Sequence, residues 1–142
     1  MTARDETAIH SVDQVGQDGT MLSALSNELV ALYKTQLGRG PTKVRSHWAG
    51  EDALLVTLED SLTPAEHRLV EMGEHGRLRD MRTFFQYATA KEFIEVAERL
   101  TKRRVRAFVS GIDAVQDVSS EVFYLVPEKL PSEIGQDDGR PR

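Results

Sequence analysis

The sequence predicts an α+β domain of two layers, in which helices cover one face of a four-stranded, mostly antiparallel sheet. A leucine stripe at helical spacing lies near the amino end. Two pairs of short segments rich in β-branched and aromatic residues follow, and a long helical stretch separates the two pairs. The predicted order is therefore helix, two strands, long broken helix and two strands.

The first predicted helix covers residues 20–37, where leucines recur at steps of three and four residues. This apolar stripe fits either the core of the domain or a seam between two subunits. Gly38 stands at the position of a left-handed helix cap, and Pro41 prevents the helix from continuing. We therefore interpret Gly38 and Pro41 as structural residues that end the helix.

The first strand pair is predicted at "TKVRSHW" and "ALLVTLE", joined by a turn at "AGED". In the first strand Lys43, Arg45 and His47 alternate with less polar residues, so they share one face. The second strand is apolar on both faces, which is typical of a central strand. The alternation fixes the register, because a slip of one residue would bury the three basic side chains.

The next helix begins with the clearest local signal in the chain. Thr63 is followed by Pro64 and Glu66, which predicts a Thr-x-x-Glu capping box with proline in the first turn. The helix is interrupted near Gly73 and Gly76 and resumes over residues 77–101. Two apolar stripes follow each other there, with a predicted bend between them: Met81, Phe84, Phe85 and Ala88, then Phe93, Val96, Ala97 and Leu100. The second strand pair, "RRVRAFVSGIDA" and "SSEVFYLVP", ends at Pro127.

Composition and charge narrow the class of protein. The 142 residues suit one domain, predicted at residues 20–127, and the absence of cysteine excludes disulfides and thiolate sites. The net charge of −5 resides mainly in two tails, residues 1–19 and 128–142, which we predict to be disordered. The predicted domain between the tails is nearly neutral, which disfavours nucleic acid as a partner.

No targeting signal or membrane-spanning run is evident, so we expect a cytoplasmic protein without direct membrane insertion.

The segment "LGRGPTK" resembles a phosphate-binding loop but lacks its spacing. Such a loop leads into a helix, whereas these glycines follow a helix and precede a strand. What remains is a shallow anion- or partner-binding site, with Arg39, Gly40, Thr42, Lys43 and Arg45 as its candidate residues. The alternative is a solvated strand face without a ligand.

No other pattern predicts chemistry. His67, Glu71 and His75 have helical spacing, but they lack a further fixed ligand, so we predict no metal site. No spaced nucleophile motif is present. We therefore expect no catalytic residues and no cofactor, and we expect that the protein is not an enzyme.

The chain resembles the MpsC family over about residues 20–127. The resemblance rests on "SNELVALYKTQLGRGPTKVR", "LVTLEDSLTPAEHRLVE" and "FIEVAERLTKRRVRAFVSGIDAVQDVSSEVFYLVP", and residues 38–43 match its "LGRGPTK" motif at each position. The chain departs from the family at "HRLVEMGEHGR", where His67 and His75 are unusual, and at Lys102-Arg103. The family was long catalogued as a domain of unknown function.

The resemblance implies a non-catalytic accessory or regulatory protein. It would be the soluble component of a Na⁺-translocating, membrane-potential-generating system linked to bicarbonate uptake, with a membrane-associated transporter subunit as its partner. We also expect a homodimer, since a small α+β domain with a two-sided apolar strand leaves apolar surface to cover. The alternative is a stand-alone regulator that binds a small anion or nucleic acid through "RGPTKVR".

Overall fold

Over residues 2–128 the chain forms a four-stranded antiparallel sheet with four helices, which confirms the predicted α+β class. A computed structural model describes the backbone of residues 2–128 and the side chains of residues 17–128. The elements in chain order are α1 (Thr2–Leu37), β1 (Lys43–Trp48), β2 (Ala53–Glu59), α2 (Pro64–Glu71), α3 (His75–Ala88), α4 (Ala90–Thr101), β3 (Val105–Asp113) and β4 (Val118–Leu125).

The strands lie in the order β1-β2-β4-β3, and every neighbouring pair is antiparallel. β2 is a central strand, as its two apolar faces predicted, and β1 and β3 are the edges. In the first hairpin Val44 lies opposite Leu58 and Arg45 lies opposite Thr57. This register points Val44 and Trp48 toward the helices and leaves the basic residues of β1 on the other face.

The main core lies between the sheet and helices α1 and α4. α1 contributes the leucine stripe, β2 and β4 contribute their inward residues, and α4 contributes its apolar face. Its buried members are Leu25, Leu29, Tyr33, Leu54, Val56, Leu58, Phe93, Val96, Ala97, Phe123 and Leu125. A smaller cluster of Leu62, Leu78 and Ala114 joins α2 and α3 to the second hairpin.

The long helical stretch is divided into three helices. Gly73 has a left-handed backbone (φ 77°) between α2 and α3, a conformation that glycine adopts at little cost. Thr89 separates α3 from α4, with φ −109° and ψ 15°. The break therefore falls where the apolar spacing slips between Ala88 and Phe93.

Helix α3 turns a polar face toward the domain. Its buried residues are Leu78, Arg82 and Gln86. The stripe that begins at Met81 is instead exposed, and Phe84 keeps 74% of its surface in water. The apolar stripe of α3 is therefore not part of the core, because a buried ion pair of Arg82 takes the inward position.

The first helix is longer than its leucine stripe. α1 begins at Thr2 rather than at residue 20, so the predicted helix boundary is wrong. Gly16 and Gly19 lie inside the helix, and each glycine weakens a helix by about 1 kcal/mol without ending it.

Disorder of the tails, residues 1–19 and 128–142, stays a prediction, and residues 129–142 lie outside the described part.

Candidate functional site

The turn between α1 and β1 contains the "GRGPTK" residues, and two glycines shape it. Gly38 has φ 85° and donates its backbone N–H to the Lys34 carbonyl, which ends α1. Gly40 packs against the helix, since a Cβ atom there would lie 3.0 Å from Val30 Cγ1 and 3.2 Å from the Val30 carbonyl oxygen. Pro41 is buried beside it. The backbone conformation at Gly38 and the close packing at Gly40 thus explain why glycine occupies both positions, and neither explanation involves a ligand.

Arg39 and Thr42 bind an anionic group of the protein itself. The Arg39 guanidinium lies 2.9 Å from Asp60 Oδ2, and the Thr42 hydroxyl donates to the same oxygen at 2.8 Å. The Thr42 backbone N–H donates to the Glu59 carbonyl. These contacts fasten the turn to the end of β2, so Arg39 and Thr42 have structural partners.

The exposed face of β1 carries the other basic residues of this segment. Lys43, Arg45 and His47 project from the side of the sheet opposite α1, and we call these three residues the basic β1 face. Lys43 and Arg45 make no ion pair within residues 17–128. They line an open groove together with Thr42, Val44, Thr57 and Glu59. The structure therefore brings together three of the five predicted site residues, whereas Arg39 and Gly40 do not line this groove.

His67 lies near two aspartates from other segments of the chain. Asp60, His67 and Asp117 place one potential ligand atom each within 4.8 Å of one another. Asp117 is already engaged, because its carboxylate accepts from the Ser61 backbone N–H at 2.9 Å and from the Leu62 N–H at 3.2 Å. Since Asp60 is bound by the turn, both carboxylates have donors from the protein. The sequence did not predict this group, because its members come from three separate segments.

A buried ion pair connects α2 and α3. Arg82 Nε and Nη2 donate to the Glu66 carboxylate at 2.6 and 2.8 Å, and Nη2 also donates to the Ser61 carbonyl at 2.9 Å. Burial acts to raise the pKa of Glu66, but the hydrogen bonds from Arg82 and Thr63 outweigh it, and the pKa lies below its ordinary value. Arg82 therefore stabilises a charged Glu66 inside the domain.

A second buried acid lies in the middle of β4. The Tyr33 hydroxyl donates to Glu121 Oε1 at 2.5 Å, and the Glu121 side chain is fully buried. Burial raises the pKa of Glu121 to about 7, although the Tyr33 and Ser110 hydroxyls and the charge of Arg82 oppose the increase. Burial and the neighbouring Glu121 also raise the pKa of Tyr33. The pair joins α1 to the sheet.

Comparison with known proteins identifies a family. A family model described as "Na+-translocating membrane potential-generating system (MpsC)" matches residues 17–126. No curated protein and no solved structure matches the chain significantly. Among the described residues, no helix combines the length and apolar character that crossing a bilayer requires.

Proposed function

Because the chain belongs to the MpsC family, we propose that it is a cytoplasmic, non-catalytic accessory subunit of a Na⁺-translocating, membrane-potential-generating system linked to bicarbonate uptake. The subunit acts as a homodimer and binds a membrane-associated protein of that system. The description of the matching family supports the link to such a system. The binding role rests on the basic β1 face.

The basic β1 face has the properties of a surface that receives an acidic partner. Its cations stand on an edge strand, and Lys43 and Arg45 are not neutralised by an ion pair within residues 17–128. Unpaired cations on a rigid strand attract acidic segments over several ångströms and select against basic ones. We therefore assign the docking of the partner to this face.

A protein segment suits the groove better than a lipid headgroup does. The groove contains the Glu59 carboxylate, and Lys43 lies opposite Glu59 in the strand register. An anionic membrane surface favours clusters of cations without nearby acids. A mixed arrangement of two cations and one acid matches a mainly acidic partner segment with a basic residue placed opposite Glu59.

Sedimentation with membranes tests this proposal. The full chain is mixed with vesicles prepared from native membranes and with vesicles made only from the lipids extracted from them. We expect sedimentation with the native vesicles and not with the lipid vesicles, and release as the salt concentration rises. Equal sedimentation with both kinds of vesicle, or with neither, contradicts a membrane protein as the partner.

A second function, regulation by a small anion, has one observation in its favour. Thr42, Lys43 and Arg45 line the same groove. A bound anion would stabilise the fold by mass action, by about 2.7 kcal/mol at a hundredfold excess over its Kd. A thermal unfolding series with bicarbonate, phosphate and sulfate at constant ionic strength tests it. A rise in melting temperature that Lys43→Gln and Arg45→Gln together remove would favour the anion over the protein partner.

A further inference from the structure

The sheet has two edge strands, β1 and β3, and the helices supply hydrogen-bond partners to the edge of β3. The Ser110 backbone N–H of β3 donates to the Tyr87 hydroxyl of α3 at 3.0 Å. At the start of the same strand the Val105 N–H donates to the Glu98 carboxylate of α4 at 2.9 Å. These contacts cover the β3 edge from within the domain.

The outer edge of β1 lacks such partners among the described residues. The Ala49 N–H donates to the Ala53 carbonyl at 2.8 Å, which fixes the alternation of hydrogen bonds in this hairpin. Since only every second residue of an antiparallel strand bonds to a given neighbour, the backbone groups of Val44, Ser46 and Trp48 point away from β2. Within residues 17–128 these groups make no hydrogen bond. We call the outward N–H and C=O groups of these three residues the open β1 edge.

The basic β1 face lies beside the open β1 edge. Its residues Lys43, Arg45 and His47 alternate with the edge residues along the strand. In an antiparallel strand added here, they would occupy the non-hydrogen-bonded pairs, in which the side chains of two strands come closest. Opposite charges in such pairs stabilise a sheet, and like charges destabilise it. The edge therefore selects a strand with acidic residues at every second position.

We propose that an extended acidic segment of the partner protein adds to the open β1 edge as a fifth strand, antiparallel to β1. This inference rests on the docking face of the proposed function. It adds the mode of binding and the pattern of the segment, in which the acidic residues lie opposite the basic β1 face. In strand addition the main-chain hydrogen bonds supply affinity, and the alternate side chains supply specificity.

A second copy of this chain fits the open β1 edge less well. Two β1 strands paired antiparallel about Ser46 would place Arg45 of one copy opposite His47 of the other and would bring two basic β1 faces side by side. Like charges opposite each other destabilise a sheet. Lysine on a short edge strand is also a common means of preventing self-pairing, and β1 has six residues with Lys43 at its start. The charges that disfavour a second copy attract an acidic strand.

Proline at position 46 tests the added strand. Ser46→Pro removes the outward N–H in the middle of the edge and keeps every charge of β1, and proline is tolerated on edge strands. A carbonyl of the partner then lacks its donor, so the amount of native membrane vesicles that sediments half of the full chain should rise by about tenfold or more. Ser46→Ala is the matched control, because both variants lose the 2.7 Å contact between Ser46 Oγ and Ser26 Oγ. It should sediment like the parent.

Hydrogen exchange of the parent tests the same edge without a substitution. In the free chain the Ser46 amide should exchange faster than the amides of Arg45 and His47, which the alternation directs toward β2. With native membrane vesicles, residues 43–48 should gain protection and residues 105–113 of β3 should not. Slow exchange at Ser46 in the free chain would show that the edge is already covered, by another segment of the chain or, where protection rises with concentration, by a second copy. Either result would overturn the added strand.

The added strand and the docking face fail in different ways. If Ser46→Pro folds and sediments like the parent while the Lys43→Gln/Arg45→Gln variant does not sediment, the strand is overturned and docking through side chains remains. If the parent does not sediment with native vesicles, the docking face is overturned and the strand with it. If Ser46→Pro does not fold, the exchange protection of residues 43–48 decides, and its absence in parent that has bound to the vesicles overturns the strand.

Discussion

Arg82 and Glu66 form a buried, two-point ion pair that closes α2 onto α3. Glu66 Oε1 also accepts the Thr63 backbone N–H at 2.9 Å, so one carboxylate serves both the ion pair and the capping box of α2. The helix start and the orientation of α3 are therefore coupled through a single side chain. The exposed position of Phe84 is a consequence of this coupling.

Replacing Arg82 tests the strength of that pair. Arg82→Met leaves Glu66 buried without its counter-charge, and we expect a loss of about 3–5 kcal/mol of unfolding free energy. Adding Glu66→Gln removes the uncompensated charge and keeps a residue that completes a capping box, so the double variant should be more stable than Arg82→Met. Urea denaturation measures both. Arg79→Met, at an exposed position of the same helix, is the control, and a loss as large as that of Arg82→Met would show that the pair is not the cause.

The capping box itself is tested at Thr63. Its hydroxyl accepts the Glu66 backbone N–H at 3.2 Å. Thr63→Ala leaves this N–H without a partner in the first turn, and we expect a loss of about 0.5–2 kcal/mol. Thr63→Ser retains the oxygen and should restore most of the stability. Equal denaturation midpoints for the parent and the alanine variant would contradict this role of Thr63.

Replacing Gly38 and Gly19 by alanine should change the stability of the protein in opposite directions, because the two glycines lie in different environments. Gly38 has φ 85°, and a residue with a Cβ atom destabilises that conformation by about 1–2 kcal/mol, so Gly38→Ala should lower the melting temperature. Gly19 lies within α1 with open space around it. Gly19→Ala should stabilise the helix by about 0.5–1 kcal/mol. A loss of stability at Gly19 would mean that α1 does not extend through this position.

The buried Glu121 makes stability depend on pH. Its pKa is raised in the folded state from 4.5 to about 7, so the folded protein binds a proton that the unfolded chain releases. The stabilisation of the folded state by this proton is fully present below about pH 4.5. It is lost as the pH rises to about 7, so the free energy of unfolding falls over this range. Glu121→Gln imitates the protonated form and should remove this slope in urea denaturation between those values. The exposed Glu95→Gln should keep the parental slope, and an unchanged slope in the Glu121 variant would contradict the assignment.

Local patterns predicted the parts of the fold that depend on neighbours in sequence. The Thr-x-x-Glu spacing contains the whole capping box of α2, and the alternation of β1 determines which face holds Arg45. The orientation of α3 could not be predicted in this way. The apolar stripe of α3 is more pronounced in the sequence than its polar face. Arg82 lies inside because it binds the distant Glu66 carboxylate and the Ser61 carbonyl.

The predicted binding residues fall into two groups, and contacts between segments that are distant in sequence again explain the difference. Arg39 and Arg45 are equivalent as cations in the sequence, yet Arg39 is neutralised by Asp60 and Arg45 is not, because the α1–β1 turn meets the end of β2. The grouping of His67 with Asp60 and Asp117 depends on the same meeting of distant segments. Spacing along the predicted helix had grouped His67 with Glu71 and His75, for which no metal site was predicted.

Capture from native membranes tests the proposed accessory role most directly. The tagged full chain is compared with the Lys43→Gln/Arg45→Gln variant and with the Arg79→Gln/Arg104→Gln control. The two variants lose equal charge, and the control positions are exposed and lie off the basic β1 face. Co-purifying proteins are quantified by mass spectrometry, and the three proteins should have similar melting temperatures because exposed cations contribute little to stability. We predict that a membrane protein is recovered with the parent and the control and is lost with the Lys43/Arg45 variant. Equal recovery with all three proteins, or no membrane protein with the parent, would contradict the account.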